Sequence, residues 1–127
     1  MKIMSYNIHH GACEDENLDL ARIGEVIKQS GAQIIGLQEV DSNFSERSGF
    51  VDQTKWLATE LGMDYTFKAN LDYDPLKPED NRRQYGIAVL SAYPIRSAEH
   101  HLLTSVSEQR GLLETIIDVN GDQLYFF

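Results

Sequence analysis

Polar and apolar positions alternate over Lys2–His9, with Ile3, Ser5, Asn7 and His9 on one side and Met4, Tyr6 and Ile8 on the other. That period predicts a strand. Gly11 and the acidic stretch Glu14–Asn17 break it into a loop. Leu20, Ile23 and Ile27 then recur at helical spacing, predicting a helix from about Leu18, with Asn17 or Asp19 as N-cap and Gly31 just past its end. Gln33–Val40 is a nearly continuous apolar run, which suits a strand buried on both faces. Strand, helix and strand in that order predict a parallel crossover.

Asp41–Gly49 reads as a polar loop and Val51–Leu61 as a second helix, with Trp56 as a core anchor and Gly62 as the stop. Asp64–Ala69 reads as a short strand and Asn70–Arg83 as a long loop, a kind of segment that tends to be functional or mobile. From Tyr85 the pattern is β throughout: Tyr85–Ser91, a turn at Tyr93-Pro94, Arg96–Leu103, Leu112–Val119, and Gln123–Phe127 after the hairpin signal Asn120-Gly121. Parallel crossovers first and hairpins second predict an α/β fold with a mixed sheet flanked by helices.

Composition narrows the reading. The chain of 127 residues is 42% hydrophobic, enough for one domain with a real core. Eleven Lys and Arg against 20 Asp and Glu give a net charge of −9, spread over both halves of the chain. Arg82-Arg83 is the sole basic doublet, so no extended nucleic-acid surface is expected. A small phosphate ester bridged by a cation fits an acidic chain. No apolar run reaches the roughly 18 residues of a membrane span. With no signal-peptide pattern at Met1–Ser5, a cytoplasmic location is the expectation. Cys13, the one cysteine, has no partner for a disulfide and reads as a free loop thiol.

Two polar residues stand where chemistry is expected. Asn7 lies near the carboxyl end of the first strand and Glu39 near the end of the second; on parallel neighbours both emerge at one sheet edge, where open α/β sheets bind ligands. A carboxylate at the end of an apolar strand needs a partner. Glu39 as a Mg²⁺ ligand beside Asn7 satisfies that need, and so does pairing with an arginine.

Ser5-Tyr6-Asn7-Ile8, Gly36–Asp41, Tyr85–Ile95 and Glu108–Leu113, in that order, resemble the successive opening motifs of the endonuclease/exonuclease/phosphatase family. The resemblance implies half of a four-layer α/β/β/α sandwich, with residues 1–127 a single domain from the amino-terminal part of such a unit. It also implies hydrolysis of phosphodiesters or phosphomonoesters by metal-activated water, with Mg²⁺, or Mn²⁺, as cofactor. On the matching positions Asn7 and Glu39 would be catalytic and metal-binding. Arg47, in Glu46-Arg47-Ser48-Gly49, would contact phosphate or stand solvated in its loop. Arg110 would clamp phosphate or pair with an acidic neighbour. His9 would approach the substrate from the Asn7 face, whereas His10 would point away. His100 and His101 would face opposite ways on an outer strand. Ile87 stands where many members carry Asn.

The family's later motifs, an Asn-Thr-His strand end, a Gly-Asp-x-Asn loop and an Asp-His pair, are expected beyond Phe127, and full activity is expected to need them. The alternative is a non-catalytic binding or assembly module. Its exposed sheet would pair with a copy of itself or with another chain, the absent half included. No GxGxxG or GxxxxGK[ST] occurs, so a phosphate-cradling nucleotide loop is not expected.

Overall fold

The computed structural model describes all residues, Met1–Phe127. Strand β1 (Ile3–Asn7) leads through a short 3₁₀ turn (His9–Gly11) to helix α1 (Leu20–Ser30). Strand β2 (Ile34–Ser42) follows, then a second 3₁₀ turn (Glu46–Ser48) and helix α2 (Gln53–Leu61). The rest is β: β3 (Asp64–Tyr73), β4 (Arg83–Ser91), β5 (Ile95–Leu103), β6 (Arg110–Val119) and β7 (Asp122–Phe126).

The helices begin and end as their caps dictate. Asp19 accepts the Arg22 N–H at 2.9 Å, and Asp52 accepts the Lys55 N–H at 3.1 Å. Gly31 and Gly62 close the two helices at φ 68° and 63°, backbone that a Cβ would strain. Trp56 is half-buried against the core rather than at its centre.

The strands form two sheets. One is mixed, ordered β1-β2-β4-β3, with β1 and β2 parallel and the other pairs antiparallel. The other is antiparallel, ordered β5-β6-β7. Both helices cover one face of the first sheet, where Ile8, Ile23, Ile27, Ile35, Leu37, Leu57 and Leu90 form the main core. Each such fully buried side chain contributes about 1.5–3 kcal/mol. The second sheet stacks on the opposite face: Leu113 and Ile117 meet Ile34 and Val89. Phe126 lies over Gly36, where an added Cβ would stand only 3.4 Å from the ring. The layering is therefore α/β/β.

Several boundaries differ from the sequence reading, each for a physical reason. The β strands divide between two sheets, because the Tyr93-Pro94 turn carries the chain off the edge of the first. There the Asp64 carboxylate accepts the Ile95 N–H at 2.8 Å. β3 runs on to Tyr73 past an irregularity between Ala69 and Leu71, so the loop after it is shorter than expected. β2 continues through Asp41 and Ser42, and β1 stops at Asn7. Asn120 and Gly121 take φ 54° and 96°, the two-residue hairpin turn that their sequence signals. Neither helix is long and apolar enough to cross a membrane.

Candidate functional site

Because β1 and β2 run parallel, their carboxyl ends reach one rim, with Asn7 opposite Gln38 and Glu39 next along. Asn7 Nδ2 donates to Glu39 Oε1 at 2.9 Å. Asn7 Oδ1 accepts the His9 N–H at 3.0 Å. The amide thus ties the strand end to the following turn and holds the glutamate. Glu39 sits at a bulge in the β2–β4 ladder, with its backbone at φ 55°. A left-handed non-glycine residue costs on the order of 1 kcal/mol, and such residues gather at functional sites. The bulge turns the carboxylate out of the ladder, half-buried, and none of the salt bridges involves it. The arginine partner considered for Glu39 is absent.

Arg47 is exposed at its turn, but its guanidinium is clamped. Its Nε and Nη2 donate to the two oxygens of Asp41 at 2.9 and 2.7 Å, and Ser48 Oγ donates to the same carboxylate at 2.6 Å. Asp41 is fully buried, and its N–H donates to the buried Gln53 Oε1 at 2.9 Å. The carboxylate holds the guanidinium more firmly charged than usual, against the desolvation that opposes it. The Arg47 guanidinium also lies 4.6 Å over the Phe44 ring and 5.3 Å from that of Tyr85. Clamped in this way, it keeps Nη1 for other partners.

Tyr85, on β4, faces the same rim. Burial first, then the charges of Glu39 and Glu108, push its phenol up to about 12, against the opposing pull of Arg47 and Arg110. The phenol therefore stays a neutral hydrogen-bonding group at working pH. With a folded value of about 12 against an ordinary 10.0, its contribution to stability is complete below pH 10 and is lost as pH rises towards 12. In an alkaline titration followed by phenolate absorbance, Tyr85→Phe is expected to remove the component that ionises near pH 12.

The remaining residues named from sequence fall as follows. Arg110 pairs with Glu108 at 3.3 Å and is exposed, which realises its acidic-neighbour alternative. His9 does not continue the Asn7 face: His9 and His10 both take left-handed backbone, φ 46° and 44°, inside the 3₁₀ turn. Their rings lie 4.4 Å apart, so His10 does not point away from His9. Burial, and then the nearby Arg47 charge, lower the His10 imidazole below its ordinary value. His100 turns inward to Asn70 at 2.9 Å and His101 outward to Glu114 at 3.1 Å, opposite ways as expected. Sequence reasoning missed Asp41, Ser48, Gln53 and Tyr85. A signal for Asp41 was present: it directly continues an apolar strand, so its carboxylate needed a partner.

Solved structures share this architecture. An endonuclease/exonuclease/phosphatase from Beutenbergia cavernae DSM 12333 superposes with a TM-score of 0.70 at 21% identity, over 94% of this chain and 34% of that one. An endonuclease/exonuclease/phosphatase family protein from Leptotrichia buccalis C-1013-b gives 0.63 at 17% identity, over 99% of this chain and 53% of that one. The fold is thus that of the endonuclease/exonuclease/phosphatase class. Within it, the chain belongs to the family described as the PGAP2IP C-terminal nuclease-like domain, whose model matches residues 1–127. Protein cwh43 of Schizosaccharomyces pombe is 30% identical over 118 residues. That match spans 92% of this chain and 11% of the relative.

Proposed function

We propose that the Asn7–Glu39 rim is the cation-binding part of a phosphoesterase site that hydrolyses a small phosphate ester. One observation carries the reading: a carboxylate at the β2 bulge, held by an amide donor, on left-handed backbone, paired with no cationic side chain. Oxygen donors of this kind suit Mg²⁺ or Mn²⁺ rather than a softer metal. When bound, such a cation would supply charge neutralisation at the phosphoryl oxygens and activation of water. Glu39 would ligate it through a carboxylate oxygen. Asn7 would fix that carboxylate, and its Oδ1, already taking the His9 N–H, has one further lone pair to offer. Arg47 would present Nη1 to a phosphate oxygen, aimed by Asp41. Tyr85 would donate its phenolic proton without giving it up. The chain's negative charge favours a cation-bridged small substrate over a long polyanion.

A second reading has its own observation. Leu103, Leu112 and Tyr125 are exposed on the outer face of β5–β7, a surface suited to a self-copy or another chain in a non-catalytic binding module. Hydrolysis of bis(p-nitrophenyl) phosphate and p-nitrophenyl phosphate by the full-length protein separates the two. The first reading expects turnover with Mg²⁺ or Mn²⁺ that a chelator abolishes and added metal restores. No turnover with either ion sinks it in favour of the second.

A further inference from the structure

The turn after β1 gathers groups that the rim does not use. The ligating atoms of His9, His10 and Glu16 all lie within 4.8 Å of one another. Each of the three residues stands on left-handed backbone, at φ 46°, 44° and 62°. Departures from the ordinary backbone of this kind, each costing on the order of 1 kcal/mol, persist only where the surroundings over-determine them.

Here they do. The Gly11 N–H donates to the Ile8 carbonyl, and the Ala12 N–H to that of His9, both at 2.9 Å. Gln53 Nε2, on a fully buried side chain, donates to the His10 carbonyl at 2.7 Å. A Cβ on Gly11 would come within 2.8 Å of that same Nε2, so the turn admits glycine there and seats tightly on α2. Cys13 and Asn17 then close a tight loop, Cys13 N–H to Asn17 carbonyl at 2.8 Å and Glu16 N–H to Cys13 carbonyl at 2.9 Å. That loop folds the Glu16 carboxylate back over the two imidazoles.

We propose that His9, His10 and Glu16 form a binding site for a divalent ion of the zinc type, separate from the Asn7–Glu39 rim. Two imidazole nitrogens and one carboxylate oxygen are a borderline-soft donor set that selects Zn²⁺ over Mg²⁺. Around tetrahedral zinc, with ligands about 2.0–2.1 Å away, neighbouring donors stand about 3.4 Å apart. Closing to that distance moves exposed Glu16 and His9 side chains on a backbone already in place. The Arg47 charge reaches His10 but is partly offset there by the carboxylate of its partner Asp41. A bound ion would cross-link the turn to the loop and fix the His9 N–H that holds Asn7. The fourth position would be left to water.

The test is Zn²⁺ titration of the untagged full-length protein in excess Mg²⁺, read by calorimetry and by the zinc-dependent rise in Tm. The wild type is expected to bind one Zn²⁺ at this site. His9→Asn and Glu16→Gln are each expected to weaken that binding by about a hundredfold and to abolish the Tm rise. Glu16 is exposed on a loop, so its variant keeps the fold. Glu39→Gln is expected to bind Zn²⁺ as the wild type does, whatever becomes of phosphoesterase activity. Zinc binding unchanged in both loop variants, lost in Glu39→Gln, or absent from the wild type would overturn the site.

Discussion

Arg47→Ala is expected to destabilise the fold by about 3 kcal/mol, near the lower end of what losing one partner of a buried ion pair costs. For a domain of this size that is a fall of roughly 10 °C in Tm. The loss falls mainly on Asp41, which is fully buried and would keep only Ser48 Oγ against its charge. Arg47 itself is 39% exposed, so solvent screening holds the pair's direct attraction below that of a fully buried pair. Asp41→Ala in the Arg47→Ala background should then restore part of the stability, because it removes the stranded charge. Chemical denaturation of the two singles and the double checks this. Additive losses would mean that the pair is not coupled.

The same network shows where the amino-acid pattern stopped being readable. Asp41 and Ser42 are polar, and polarity after an apolar run reads as loop. Their burial depends on Arg47, Ser48 and Gln53 folding back over them, which no alternation along the chain encodes. His9 and His10 fail for a related reason. The strand period is broken by left-handed backbone that Gln53 holds from 43 residues away in sequence.

What could be read was local or followed from topology. The Asp19 cap, the Gly31 and Gly62 stops and the Asn120-Gly121 hairpin need only neighbouring residues. The meeting of Asn7 and Glu39 needed one further step, that strands joined by a crossover run parallel, which brings the end of β1 level with Gln38 and Glu39 of the longer β2. The split into two sheets is not readable from the β pattern alone, because each strand from β3 onward pairs with a chain neighbour and nothing in the alternation marks the break between β4 and β5; the family resemblance, with its two β layers, was what implied it.

Glu39→Gln should leave the fold standing and remove function, and the local geometry says why. Glutamine has the shape of glutamate, and its amide oxygen can take the Asn7 Nδ2 bond that the carboxylate now accepts at 2.9 Å. With no salt bridge to break, the Tm should stay within a few degrees of wild type. The charge that would hold the cation is gone, so metal affinity should fall. Metal-dependent hydrolysis should drop by roughly 10²- to 10³-fold, on the scale of losing one charge-stabilising group. Glu39→Gly sharpens the test. At φ 55° glycine escapes the left-handed penalty, which offsets its greater freedom in the unfolded chain but not the loss of the Asn7 hydrogen bond, so stability should fall by about 1 kcal/mol. Isothermal titration with Mg²⁺ and Mn²⁺, beside thermal melts of both variants, separates the cases. If the melts collapse while the metal titrations are unchanged, Glu39 is a structural residue and the rim is not a cation site.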